Sequence, residues 1–317
     1  MMFFSDNRRN PDFAKDPAVV RMGGRFLMYY SIPPYQDNRP ENGWGIGIAE
    51  SVDLVHWKYF CEIPSLTPLE KHGFCAPGAR VYDGVVHLFY QTYTFGASDA
   101  VCHAFSKDGI HFIADSANPI FHPPVSNWSC GRAIDADCIA FNGKIFLYAA
   151  TRDPEFKTQK LVVAQRSSLS TALNAEWSMP VDRSILEPEL SWEGECIEAP
   201  AACIHNGRLY LFYGGGYNNA PQQIGCAVSD DGISFKRISD SPVLPCGKAG
   251  EWNSSESGHP FVFSDLGEDY LFYQGNNDCG KTWHLSVCKI TWKDDFPYFS
   301  ELEPVQMKYF KQNKNVD

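Results

Sequence analysis

The 317-residue chain has no uninterrupted apolar stretch able to span a bilayer, and no apolar h-region near its start. Met1-Met-Phe-Phe4 gives way at once to Ser5-Asp-Asn-Arg-Arg9. These two absences argue against a membrane partner and lead us to expect a cytoplasmic protein. Positive charge is also in short supply: 27 Lys and Arg face 38 Asp and Glu, for a formal net charge of −11. Nucleic acid and anionic membranes are poor partners for such a surface. Cysteine is plentiful, but paired spacing is missing. The 11 cysteines are odd in number and contain no Cys-x-x-Cys, which excludes a zinc ribbon and points away from a disulfide scaffold. Cys138 and Cys203 lie within apolar runs, where a free thiol acts as a small hydrophobe. Finally, long apolar periodicity of 3.6 residues is almost absent, which removes helical architectures.

What is present is repetition. Five segments align: Asp16–Tyr30, Ala76–Tyr90, Asp135–Ala149, Ala199–Tyr213 and His259–Tyr273. Their first positions are 60, 59, 64 and 60 residues apart, and a Gly stands eight residues after each (Gly24, Gly84, Gly143, Gly207, Gly267). Each segment reads as a hairpin. A β-rich run meets Asp83-Gly84, Asn142-Gly143 or Asn206-Gly207, dipeptides suited to the positive φ angles of a type I′ turn, and an aromatic-rich run follows. A second recurring element (Ser51–Trp57, Ser106–Phe112, Ser229–Phe235) reads as a turn into an outer strand. The aromatic content of 14% suits all-β packing. Together these predict an all-β, five-bladed β-propeller, with four-stranded antiparallel blades around a central channel. We expect the propeller over residues 1–300 and a short tail over 301–317. Either the Met1–Phe4 segment or Val305–Phe310 is available to close the ring.

In a propeller the innermost strands line the channel, so equivalent starting positions form a ring around one mouth. That ring holds Asp16, Ala76, Asp135, Ala199 and His259, with Glu198 one residue before its slot. A structural strand start has no need of a carboxylate, and gathering like charges is costly. Three acids and a histidine in register therefore mark a candidate site.

At these residues the chain resembles the catalytic domain of glycoside hydrolase family 43, in the clan shared with the family 32 fructosidases. The similarity spans roughly residues 12–297 and rests on Lys15-Asp16-Pro17, Ile134-Asp135, Glu198-Ala199-Pro200 and Ser257-Gly258-His259. It implies inverting hydrolysis of glycosidic bonds in plant-type oligosaccharides, with arabinofuranosides or xylosides as substrates. Asp16 would be the general base and Glu198 the general acid, with Asp135 orienting Glu198 and raising its pKa. Base and acid would stand roughly 6.5–9.5 Å apart to admit a water. His259, Phe74, Trp192, Arg132 and Asp137 are candidate substrate contacts. No cofactor is required; a channel calcium ion near His259 is the one metal the resemblance suggests.

Several features depart from the family pattern. Ala136 follows Asp135 where Pro is frequent, and Asp137 lies two residues on. Period-2 alternation would put both acids on one face, which leaves Asp137 as a competitor. Arg152-Asp153-Pro154 resembles a family 32 motif but follows the second aromatic run of its blade, and reads as a turn. Phe74-Cys75 replaces a Trp common before Ala-Pro. Trp44, Trp128, Trp192 and Trp252 lie in connections that could supply stacking surfaces. A clan fructosidase, a glycoside phosphorylase with Arg80 or Arg132 at a phosphate pocket, and a non-catalytic carbohydrate-binding propeller remain as alternatives.

Overall fold

A computed structural model describes the chain apart from residues 1, 10, 38–41, 94–95, 168–175 and 306–317. The first blade comprises β1 (Lys15–Met22), β2 (Arg25–Ile32), β3 (Gly45–Ser51) and β4 (Lys58–Glu62). The second comprises β5 (Phe74–Tyr82), β6 (Val85–Thr92), β7 (Val101–Ser106) and β8 (Ile113–Ala114). The third holds β9 (Ile134–Phe141), β10 (Lys144–Arg152) and β11 (Gln159–Arg166). Then follow β12 (Ile197–His205), β13 (Arg208–Gly215), β14 (Gln223–Ser229) and β15 (Lys236–Arg237). The fifth blade has β16 (Glu256–Asp265), β17 (Glu268–Asn276), β18 (His284–Lys293) and β19 (Phe296–Glu301). Strand order follows the chain within every sheet, all pairings are antiparallel, and each inner strand packs against the next around a closed ring. The five-bladed propeller is as predicted. Its third blade deviates: isolated antiparallel bridges at Leu161–Leu186 and Gln165–Ser178 stand where the other blades have a fourth strand.

The hairpin turns form as their dipeptides predict. Asp83-Gly84 has φ of 50° and 73°, Asn142-Gly143 49° and 74°, and Asn206-Gly207 48° and 74°, the paired positive values of a type I′ turn. The Ser-x-Asp elements are tight turns. In each, a Ser hydroxyl and an Asp carboxylate accept the amides that follow, as when Asp108 Oδ1 accepts from Ile110 and His111 at 2.8 Å.

The inner strands share one irregularity that alternation did not foresee. Each carries a β-bulge at the repeat's first position, where two residues oppose one: Asp16-Pro17 face Tyr30, Ala76-Pro77 face Tyr90, and Asp135-Ala136 face Ala149. Ala199-Pro200 and His259-Pro260 face Tyr213 and Tyr273 in the same way. The bulge leaves an amide out of the ladder, which is why proline, lacking one, fits there four times. Because the bulge breaks the period of two, Asp137 does not share the mouth with Asp135. It lies deeper, where Arg80 binds it through Nε at 3.0 Å and Nη2 at 2.5 Å and the Ala202 amide donates to it at 2.8 Å. Arg80 also donates to the carbonyls of Val262 and Ala202, tying four blades together across the axis. Space beneath the ring shrinks to about 10 Å³. There a β-carbon on Gly78 would stand 2.0 Å from the Ala136 carbonyl oxygen.

The ring is closed by the N-terminal segment. Phe4 exchanges backbone bonds with Leu285 at 3.0 and 2.8 Å, and the Ala14 amide donates to Trp283 at 3.0 Å. Of the alternative segment, Val305 donates to the Asp53 carbonyl; 306–310, and most of the expected tail, lie outside the described residues. No helix among the described residues is long and apolar enough to cross a membrane.

Replacing Asp137 with Ala strands the buried Arg80 guanidinium, so unfolding should become easier by about 3–5 kcal/mol. Asp265→Ala, which removes a partly exposed partner of Arg21, should cost no more than about 1 kcal/mol. Urea denaturation of the two variants checks the contrast; equal small losses would rule out the cross-channel anchor.

Candidate active site

The bulged residues open onto a funnel of about 190 Å³ whose walls include Lys15, Asp16, Arg132, Asp135, Glu198 and His259. His259 sits at the junction. Its Nε2 lies 3.3 Å from Asp16 Oδ1 and 3.5 Å from Asp135 Oδ1, and neither ring nitrogen has a hydrogen bond within the protein. Burial disfavours an imidazolium, but Asp16, then Asp135 and Glu198, outweigh it and raise the His259 pKa to about 9.

The other two carboxyls are pushed in opposite directions. Burial works against ionising Asp135, yet His259, Arg132 and Lys15 hold its pKa below the usual range. For Glu198, burial and then repulsion from Asp135 push the pKa up, against opposing help from Gln222, His259 and Lys15. Glu198 is clamped from both sides: Gln222 Nε2 donates to Oε1 at 2.7 Å, and Gln159 Nε2 donates to Oε2. Two neighbouring carboxyls are thus pushed in opposite directions, Asp135 toward the ionised form and Glu198 toward the neutral one.

Sequence reasoning missed the supporting groups. Lys15 is half-buried, and the desolvation cost is outweighed by Asp16, Glu256, Glu198 and Asp135, which raise its pKa. Its ammonium lies 4.3 Å from the Trp283 ring centroid. Glu256 is fully buried, with its pKa pushed up to about 7, chiefly by burial. It accepts from Gln274 Nε2 and from the Asn219 amide, each at 2.8 Å. Gln274 in turn accepts from the Asp16 amide at 3.0 Å. One signal was available: Ser31, Gln91 and Gln274 each follow the last aligned residue of a repeat, and a polar residue in a buried strand calls for a partner.

Of the candidate residues, Asp16, Asp135, Glu198, His259 and Arg132 meet at the funnel, and three do not. Asp137 lies beneath the ring. Phe74 is buried in the core, edge-on to Tyr90 at 5.6 Å. Trp192 stacks on Tyr213 at 6.2 Å and donates its indole N–H to the Asp240 carbonyl. Apolar packing claimed these two rings. Trp44 and Tyr93 line the funnel instead, with ring centroids 5.7 Å apart. Asp153 forms a turn, accepting the Lys157 amide at 2.7 Å. A calcium ion near His259 fits this donor set poorly. The imidazole there is held as a cation, and among the described residues no three His, Cys, Asp or Glu side chains are grouped to hold a metal.

Carboxyls whose pKa values are pushed in opposite directions at one mouth of a closed five-bladed propeller suit acid–base cleavage of a glycosidic bond. The family model for glycosyl hydrolases family 43 matches residues 9–297, and the chain belongs to that family: it is a glycoside hydrolase. Solved structures share the fold. A thermostable family-43 glycoside hydrolase is 19% identical with a TM-score of 0.72, covering 92% of this chain and 94% of its own. The α-L-arabinofuranosidase of Lactobacillus brevis is 18% identical with a TM-score of 0.67, covering 93% and 96%. The family 32 β-fructofuranosidase of Bombyx mori is 17% identical with a TM-score of 0.69, covering 92% of this chain and 63% of its own.

A histidine raised from 6.5 to about 9 stabilises the fold fully below pH 6.5, and that contribution fades as pH climbs through 9. Imidazole NMR should show His259 titrating near pH 9 and shifting downward in Asp16→Asn and Asp135→Asn. A midpoint near 6.5 in the unmodified protein would contradict the ion-pair assignment.

Proposed function

We propose that the protein is an inverting glycosidase in which Asp16 activates water, Glu198 protonates the leaving oxygen and Asp135 keeps Glu198 protonated. The observation that carries this reading is the opposite push on Asp135 and Glu198 within one funnel. Asp16 and Asp135 both face the His259 cation, which fixes Asp16 at the funnel mouth as the proposed base. Gln159 and Gln222 fix the Glu198 carboxyl, so its proton is delivered from one position. Two carboxyl groups suffice for the proton transfers, and no step calls for a cofactor.

The substrate proposed is a terminal arabinofuranoside or xyloside. A funnel of about 190 Å³ supports entry of a single sugar unit, being smaller than the 300 Å³ or more of drug-sized pockets. The activity named for the Lactobacillus brevis neighbour agrees with the arabinose reading. Aromatic walls at Trp44 and Tyr93 offer stacking surfaces.

A panel of aryl arabinofuranosides, xylosides, galactosides and fructosides tests the reading, with the product anomer followed by NMR. The expected first product is the inverted anomer, and a retained anomer would exclude Asp16 as base. Glu198→Gln should slow cleavage of poor leaving groups by about 10²–10⁴ while affecting activated aryl glycosides much less. Asp16→Ala should be inactive on both. Turnover should be the same with and without EDTA; metal-dependent activity would refute the cofactor-free scheme.

A further inference from the structure

One wall of the funnel carries more positive charge than the proposed proton transfers require. Arg152, at the end of β10, lines the funnel and has no carboxylate within ion-pair distance among the described residues. Its Nε donates to Gln159 Oε1 at 2.8 Å, and its guanidinium lies 4.5 Å from the Phe156 ring centroid and 5.3 Å from that of Tyr217. Arg132 approaches the same Phe156 ring at 5.6 Å. Its Nε is buried without a hydrogen bond, and its ion-pair contact to Asp99 is a long 3.6 Å. The two guanidinium groups therefore share one aromatic ring at the funnel wall.

The loop that presents this ring is built to hold it there. Phe156 is 38% exposed and has φ of 61°, an uncommon conformation for a bulky residue. Asp153 accepts the Phe156 amide through its carbonyl at 3.0 Å and the Lys157 amide through its carboxylate at 2.7 Å. From the far side the Tyr217 hydroxyl donates to the Lys157 carbonyl at 2.8 Å. The neighbouring acid Glu195 is already engaged, 2.9 Å from Lys157 Nζ.

The wall also has a direction. Gln159 accepts from Arg152 through Oε1 and donates to Glu198 through Nε2, which puts the arginines on the side of the proposed acid. In inverting hydrolysis the acid faces the leaving group and the base faces the incoming nucleophile. We propose that the leaving-group side of the funnel recognises an anion, so that the favoured substrates carry a carboxylate of the uronic-acid class next to the scissile bond. An arginine pair suits a planar carboxylate through paired N–H donors, and Phe156 packs against both guanidinium groups at the wall. The inference rests on the reading of Glu198 as the acid. Phosphate, the other anion this chemistry would bind, would have to enter on the Asp16 side to act as a nucleophile.

The test uses the glycone found active in the aryl panel, joined to 4-carboxyphenyl and to 4-carbamoylphenyl leaving groups, which differ in charge at similar size. The full chain should prefer the carboxylate in kcat/KM by about tenfold, a factor that falls with added salt. Arg152→Gln should bring the ratio close to one, and Arg152→Lys should retain part of it. Because the ratio is the readout, a general loss of activity in a variant does not obscure the result. Equal kcat/KM for the two leaving groups in the unmodified protein would overturn the proposal while leaving the glycosidase reading intact. Absence of cleavage across every glycone would instead remove the glycosidase reading. Turnover that depends on inorganic phosphate, with a glycosyl phosphate as product, would overturn the proposal by making the arginines a co-substrate site.

Discussion

The structure depends on one backbone constraint: the first bulged residue of each inner strand is held at positive φ. Asp16, Ala76, Asp135, Ala199 and His259 have φ between 44° and 54°, a left-handed conformation that costs roughly 1–2 kcal/mol for a residue with a β-carbon. The cost is met locally. In four of the five, the amide freed by the bulge donates to a neighbouring blade's side chain: Asp16 to Gln274, Ala76 to Ser31, Asp135 to Gln91 and His259 to Gln222. The same bonds therefore satisfy buried amides and fasten blade to blade. Since Ala76 and Ala199 adopt the conformation as readily as Asp16, the scaffold is indifferent to the chemistry placed there. The carboxyl and imidazole side chains are additions to a ring whose geometry the backbone already sets.

Charge then decides what the ring can do. Three carboxyls in a small buried funnel would repel one another, and the fold answers with His259 between Asp16 and Asp135 and Lys15 at the edge. Compensation is uneven by design of position: Glu198 stands one residue before its ring slot, close enough to feel Asp135 but without the direct imidazole contact. That offset pushes the pKa values of two neighbouring acids apart. Two buried acids away from the funnel are held by several hydrogen bonds each. Glu193 accepts from Arg237, Tyr213 and two backbone amides, and Glu70 accepts from Tyr90 and the start of its own short helix.

The fold was legible in the sequence because a repeat of about sixty residues exposes its own register, and the hairpin dipeptides mark the turns. Asp16, Asp135, Glu198 and His259 were legible for the same reason, as acids and a histidine at one point of that repeat. Asp137 was misplaced because a bulge shifts the strand by one residue, and nothing in Ile134-Asp-Ala-Asp137 itself announces a bulge; the prolines that mark it in the other blades are replaced here by Ala136. Phe74 and Trp192 were misplaced because an aromatic residue beside a site and one beneath it look alike in sequence. The Arg152 wall was hidden by its loop: Asp153-Pro154 reads as a turn, which it is, and the turn's work in presenting Phe156 appears only in three dimensions.

Gln222 shows how closely support and site are joined. In blades one, two and five the amide acceptor for the next blade sits on the second strand, but blade four has Gly214 at that place. Gln222, from the loop before β14, fills the role instead. Its Oε1 accepts from the His259 amide at 3.0 Å, while its Nε2 donates to Glu198 at 2.7 Å and to the Gly216 carbonyl at 2.9 Å. Those three bonds fix which way the carboxamide faces. Space for it is cleared by two glycines: a β-carbon on Gly258 would stand 1.9 Å from Gln222 Oε1, and one on Gly214 would stand 3.0 Å from its carboxamide carbon. The absence of side chains at Gly214 and Gly258 is thus what lets one glutamine hold both the ring histidine's backbone and the acid's carboxyl. A side chain at either glycine would disturb the site without touching a charged residue.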